Sequence, residues 1–251
     1  MIESRFGRGT AFSLDVDQRE YWITAKHILN GAQHPPYGTV KSKSERLKIL
    51  NPSILGEQWL SIDFSVLDPG EDIDIIVLAP PHLLLSNPLS SVTPSYSNVI
   101  LGGNCEFLGF PYGGGWRERL PDQTPAWLPY VKHCFIAAFD TPEKNFWVLD
   151  GINNSGFSGG PVVYGTGAQQ QVFAVVSGYL TEPTDVITSP LHKLASPKPP
   201  PPPRKGSQSK ERATAIKQTV NVNSGFIIAF DIHYAIDAIH KSPIGPLRNA
   251  K

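Results

Sequence analysis

Short apolar runs rich in Val, Ile, Phe, Tyr and Trp, each closed by a cluster of Gly, Pro, Asn or Ser, dominate this chain. They occupy residues 21–24, 73–78, 99–101, 106–110, 135–139, 146–149, 171–176 and 225–230. β-Branched and aromatic side chains suit a pleated, half-buried surface, and turn residues between them fold the chain back on itself. Few stretches carry a helical period, so 251 residues of this pattern predict an all-β barrel or sandwich. The proline-containing stretch 79–94 reads as a connector between two lobes, the first over 1–85 and the second over 95–241. One helix is expected near the C-terminus. Asp231 is positioned to cap it, and Ile232, Ala235, Ile236 and Ile239 share one face. His233 and His240 on that helix read as structural or solvent-facing residues rather than ligands.

Lys+Arg and Asp+Glu are equal at 22 each, which argues against nucleic acid or an anionic membrane as the main partner. No run approaches the length of a membrane span, and the first residues carry no apolar signal-peptide core, so a cytosolic location is expected. Two cysteines, Cys105 and Cys134, are too few for a disulfide framework and are expected as buried thiols. Residues 189–219 differ in kind. They hold the proline run 199–203 and seven basic residues against one acid, Glu211. Such a stretch cannot bury enough apolar surface to order itself, and it reads as a disordered insertion within a single domain. There is no internal repeat.

The segment Gly156-Phe157-Ser158-Gly159-Gly160-Pro161 carries the chemistry. A serine between glycines can expose its hydroxyl on a tight turn, and the backbone N–H groups of Gly156 and Ser158 can converge there as an oxyanion hole. A serine hydroxyl needs a base to become a nucleophile. His27, just beyond the apolar strand of 21–24, is the candidate. The histidine needs an acceptor for its other nitrogen. Asp74 opens the run Asp74-Ile75-Ile76-Val77-Leu78, and Asp72, two residues earlier, is its rival.

Three segments in this order, Thr24-Ala25-Lys26-His27, Asp74-Ile75-Ile76-Val77-Leu78 and Gly156-Phe157-Ser158-Gly159-Gly160-Pro161, resemble the signatures of the chymotrypsin/trypsin family of serine peptidases. The style is that of bacterial HtrA-like domains. Gly7-Arg8-Gly9-Thr10-Ala11-Phe12 is similar to their opening strand, and Leu108-Gly109-Phe110-Pro111-Tyr112-Gly113 to their Gly-Phe/Tyr-Pro turn. Asp150-Gly151-Ile152-Asn153-Asn154-Ser155-Gly156 is similar to the lead-in to their nucleophile, and Val175-Val176-Ser177-Gly178 to the cleft-lining strand. No PDZ-like domain is expected after residue 230.

The resemblance implies two six-stranded antiparallel β-barrels with a C-terminal helix and a cleft between the barrels. It implies a serine endopeptidase with His27, Asp74 and Ser158 as triad, which selects Asp74 over Asp72. Gly156 and Ser158 would form the oxyanion hole, and Ser177 would support the acid. Ile152, Ser177, Gly178 and Tyr179 would bind substrate, with Ile152 at the base of the primary specificity pocket. An apolar base favours cleavage after small to medium apolar residues rather than Lys or Arg. No cofactor or metal is implied, and the partner is a protein or peptide substrate. Phe157 departs from the family, where digestive members carry an acid that pairs with a freed N-terminus. Control by such processing is therefore not expected; the 189–219 insertion, covering the cleft or docking an acidic regulatory protein partner, is the expected gate, with a tolerated surface loop of no role as the alternative. Two other readings stand beside this one. An α/β-hydrolase shares the Gly-x-Ser-x-Gly turn but needs a helix after the serine and the order Ser, Asp, His. A catalytically inactive relative would use the same scaffold as a protein-binding module.

Overall fold

The computed structural model describes residues 1–50, 59–85, 93–95, 99–119, 125–139, 146–165, 170–188 and 216–248. The strands in chain order are β1 (Ile2–Glu3), β2 (Arg8–Gly9), β3 (Phe12–Val16), β4 (Arg19–Thr24), β5 (Ser44–Leu50), β6 (Trp59–Leu67), β7 (Ile76–Ala79) and β8 (Thr93–Pro94). They continue with β9 (Asn104–Gly109), β10 (Trp116–Arg119), β11 (Pro125–Leu128), β12 (Tyr130–Phe139), β13 (Phe146–Asp150), β14 (Pro161–Tyr164), β15 (Gln171–Thr188) and β16 (Ile216–Asp231). A one-turn helix α1 (His27–Asn30) follows β4, and α2 (His233–Lys241) follows β16.

The first seven-stranded sheet runs β2-β1-β5-β6-β7-β4-β3 and curls without a ladder joining its edges. In the second, β14-β9-β12-β13-β16-β15 closes on itself through β14–β15 pairing, a six-stranded barrel to which β8 adds a parallel edge. β10 and β11 form a separate hairpin. The unbroken apolar run at β7 follows from alternation: Ile75, Val77 and Ala79 enter one core cluster and Ile76 and Leu78 another. A strand covered on both faces has no use for polar residues. The cluster with Ile75 and Val77 also contains Leu14, Tyr21 and Ile23 from the first sheet, Val163, Val175 and Phe230 from the second, and Ala235 and Ile239 of α2. It is the apolar seam that joins the two sheets.

The chain divides into two compact units, Met1–Leu180 with Gly225–Lys251, and Thr181–Ser224. The first sheet, the seam, α2 and the second sheet up to Leu180 of β15 and from Gly225 of β16 belong to the larger unit. In the smaller one, the outer parts of β15 and β16 are described, and Thr219 Oγ1 donates to Asp185 Oδ1 at 3.0 Å. Residues 189–215, most of the expected insertion, lie outside the described residues, whereas 216–219 belong to β16. Of the 79–94 connector, 86–92 lie outside the described residues and Thr93–Pro94 form β8.

Three local expectations need correction. Residues 99–101 are not a strand: Gly102-Gly103 turn the chain, Gly103 N–H donates to Ile100 O at 3.0 Å, and Ile100 and Leu101 stand exposed. The cap of α2 is Ile232 rather than Asp231, although Asp231 Oδ1 still accepts from His233 N–H at 3.0 Å, one residue further out. Phe110, read as the end of a strand, lies just beyond β9 at the start of a single 3-10 turn, Pro111–Gly113. Cys105 and Cys134 are free and buried, directly opposite one another on β9 and β12 with their Sγ atoms 3.1 Å apart. Their hydrogen bond, followed by burial, pushes the Cys134 thiol well above its usual pKa. Among the described residues no helix is long and apolar enough to cross a membrane, and no group of three or more His, Cys, Asp and Glu is arranged to hold a metal ion.

Candidate active site

β4 ends at Thr24, and three residues later the chain enters α1, whose first residue is His27. Asp74 lies two residues ahead of β7, the strand that pairs with β4. Neighbouring strand ends thus bring the two side chains together. His27 N–H donates to Asp74 Oδ1 at 2.8 Å, and His27 Nδ1 lies 2.7 Å from Asp74 Oδ2. Since the carboxylate accepts, Nδ1 carries the proton and Nε2 is left as the basic nitrogen. Asp74 is fully buried, while Asp72 is exposed. Ser177 on β15 donates its hydroxyl to Asp74 Oδ2 at 2.5 Å, and Tyr37 OH lies 3.4 Å from Ser177 Oγ. Burial is the largest influence raising the pKa of Tyr37. The carboxylate therefore receives three donors, which offsets the cost of its complete burial.

Ser158 comes from the other side, on the turn that leads into β14. Its hydroxyl donates to the carbonyl of Ser177 at 3.1 Å, and among the described residues it makes no hydrogen bond to His27. Ser177 therefore touches both halves, with its hydroxyl on Asp74 and its carbonyl on Ser158.

The turn itself is set by backbone geometry. Gly156 has φ +103° and Gly159 φ +83°, and a Cβ at either position would run into backbone atoms of Phe110 or Thr10. Only glycine satisfies both the positive φ and the close approach. Ser155 O accepts from Tyr112 N–H, and Phe157 O from Gly160 N–H, each at 2.8 Å. In a trans peptide the next N–H points opposite to the carbonyl. Gly156 N–H and Ser158 N–H are thereby turned away from these bonds, and neither has an acceptor among the described residues. Thr10, between β2 and β3, fastens the turn: its N–H donates to Ser158 O at 2.8 Å and its hydroxyl to Gly156 O at 2.7 Å, while Phe110 N–H donates to that hydroxyl at 3.1 Å.

Of the residues read as substrate-binding, Gly178 accepts through its carbonyl from Asn153 Nδ2 at 3.3 Å, which joins the 152–154 segment to β15 beside Ser177. Ile152 is 61% exposed and Tyr179 42% exposed, both apolar surfaces open to solvent. Phe157 is buried and packs edge-on against Phe107 at 4.9 Å between ring centroids. An acid here would enter an apolar cluster.

Sequence reading did not single out Lys26, Asp68, Tyr37 or Thr10 as parts of the site. Lys26 is fully buried beside His27, and its ammonium donates to Gly38 O at 3.1 Å and to Gly70 O, and pairs with Asp68 Oδ1 at 2.7 Å. The available signal was a lysine inside the apolar stretch 21–29, where a charge needs a partner.

No family model and no curated protein matches this chain. Solved structures do. A serine-to-alanine mutant of Rv3671c from M. tuberculosis H37Rv, in an inactive form, is 16% identical, with 97% of this chain and 87% of that chain covered and a TM-score of 0.50. The serine endoprotease from Yersinia pestis is 19% identical over 71% of this chain and 53% of that chain, with a TM-score of 0.41. At the first likeness the fold is that of trypsin-like proteases, a β architecture of two sheets with a C-terminal helix. The likeness does not reach the HtrA-like subgroup in particular.

Proposed function

We propose that the protein is a serine endopeptidase working through an acyl-enzyme, with Ser158 as nucleophile, His27 as base and Asp74 as orienter. The observation that carries this is the buried chain Ser177–Asp74–His27, with Ser158 tied to the same Ser177. A histidine held by Nδ1 offers Nε2 as a base, as the reaction needs. The Ser158 hydroxyl leaves the Ser177 carbonyl, passes its proton to His27 Nε2, and Oγ bonds to the substrate carbonyl carbon. The negative charge on the former carbonyl oxygen falls to Gly156 N–H and Ser158 N–H. Collapse breaks the C–N bond, and the amine departs with the proton from His27. Water, deprotonated by His27, then releases the acid and restores the Ser158 hydroxyl. The preference for small to medium apolar residues before the cut rests on the apolar character of Ile152, whose side chain is exposed.

One observation favours a second reading, a binding module without catalysis: the Ser158 hydroxyl rests on Ser177 rather than His27. A fluorophosphonate probe separates the two. The peptidase reading expects labelling of the pure protein that disappears in Ser158→Ala and drops steeply in His27→Ala. An unlabelled wild type that is folded by circular dichroism leaves the binding module.

A further inference from the structure

β12 alternates outward Val131, His133 and Phe135 with inward Cys134 and Ile136. Lys132 takes an inward position in that register, opposite Phe107. A cation there needs a reason. Its ammonium lies 5.9 Å from the ring centre of Phe107 and 5.7 Å from that of Phe157, and burial lowers its pKa. No carboxylate pairs with it among the described residues. What it meets is the segment before the nucleophile: it donates to Ile152 O and, at 2.9 Å, to Asn154 Oδ1. Asn154 in turn accepts from Phe157 N–H at 3.3 Å through its carbonyl, and its own N–H donates to Asn153 Oδ1 at 2.7 Å. Asn154 Nδ2 reaches Tyr112 OH at 3.4 Å, on the same 3-10 turn whose Tyr112 N–H donates to Ser155 O.

We propose that Lys132 is a positioning residue for the oxyanion turn, its ammonium latching Ile152 and Asn154 so that Gly156 N–H stays directed at the developing charge. This rests on the serine-peptidase reading. A glycine-rich turn without such a latch can rotate the Ser155–Gly156 peptide and present a carbonyl where a donor is needed. Neutral hydrogen bonds alone would hold it less firmly than charge-assisted ones. The lysine touches no substrate and acts through the backbone of the turn.

The test compares wild type, Lys132→Met, Lys132→Arg and Asn154→Ala. Met keeps an unbranched side chain opposite Phe107 without the charge, and Asn154→Ala removes an acceptor without touching β12. The first readout is fluorophosphonate labelling, in which Ser158 Oγ bonds to phosphorus, its proton passes to His27 and fluoride leaves. Lys132→Met is expected to lower the saturating rate constant by about 10²-fold, the usual effect of losing one oxyanion donor, with the half-saturating probe concentration unchanged. Asn154→Ala shifts the same way, and Lys132→Arg recovers most of the loss because the charge is kept. The second readout needs no catalysis: hydrogen exchange of the peptide spanning 150–160 is faster in Lys132→Met than in wild type. A wild-type saturating rate in both Lys132→Met and Asn154→Ala overturns the latch, as does unchanged exchange. If wild type itself takes no label, the peptidase reading has failed, and the exchange result alone decides whether Lys132 holds the turn. Should Lys132→Met not fold, Asn154→Ala and Lys132→Arg carry both readouts.

Discussion

Lys26 brings a charge to a position with no exposed surface, directly before His27. Asp68 meets it and also accepts from Val40 N–H at 2.7 Å and Gly70 N–H at 3.0 Å, so one ion pair ties together the loops that flank His27 and Asp74. Replacing one partner leaves the other buried and under-compensated. Lys26→Met is therefore expected to lower stability by about 3–5 kcal/mol, measured by urea unfolding. A loss under 1 kcal/mol would mean that Asp68 is satisfied without the lysine. Thr10 poses the neutral version of the same question. Thr10→Val keeps the shape but orphans Gly156 O and Phe110 N–H, at an expected cost of about 1–3 kcal/mol in the same unfolding experiment, with weaker probe labelling. Asp74→Asn leaves the fold but favours the wrong imidazole tautomer, and labelling should fall by about 10⁴-fold. The equivalent change at Asp72, which is exposed, should leave labelling at the wild-type rate. A crippling Asp72→Asn with a mild Asp74→Asn would exchange the two assignments.

The C-terminal stretch after α2 works as an element although it has little regular structure. Glu20 N–H donates to Pro246 O at 3.1 Å, Gly245 N–H to Tyr21 OH at 3.1 Å and Arg248 N–H to Gln18 O at 2.8 Å, so the tail clasps the β3–β4 hairpin. The Arg248 guanidinium donates to both carboxylate oxygens of Asp15, at 2.5 and 2.7 Å, and lies 3.4 Å from the fully buried Glu20. Asp15, the strongest influence, holds Arg248 above its ordinary pKa. Glu20 also accepts from Trp22 Nε1, Leu84 N–H and Leu85 N–H, so it does not depend on the arginine alone. Arg248→Ala is thus expected to cost about 1–3 kcal/mol rather than the larger price of stranding a buried charge, read as a lower urea midpoint. An unchanged midpoint would show that the clasp is ornamental. β4 and β7 have a different function at this scale. They pair, and their adjoining ends present His27 and Asp74 to each other.

At the scale of the molecule, the candidate site draws His27 and Asp74 from the first sheet and Ser158 and Ser177 from the second, with the apolar seam between them. Probe labelling should therefore vanish in the same urea transition that changes the tryptophan fluorescence, because neither sheet holds the site alone. Separated midpoints would contradict this. Much of the architecture was already written along the chain. Period-2 apolar runs, glycines around Ser158 and a helical face at Ile232, Ala235 and Ile239 depend on neighbours a few residues away, and such local patterns survive in one dimension. His27, Asp74 and Ser158 were likewise legible as residue types in an order. The false strand at 99–101 came from reading three apolar residues without weighing the two glycines that follow. What the chain could not display were contacts across long separations. The Thr10 hydroxyl fastens Gly156, Arg248 grips Asp15, and Lys132 turns inward toward Ile152 and Asn154 only because β12 has a particular register against β9. Sequence determined which side chains were present and which face of each strand was apolar. Only the tertiary structure decided which buried charge meets which acceptor, because a hydrogen bond depends on distance and angle in space, and these are fixed when the two sheets pack.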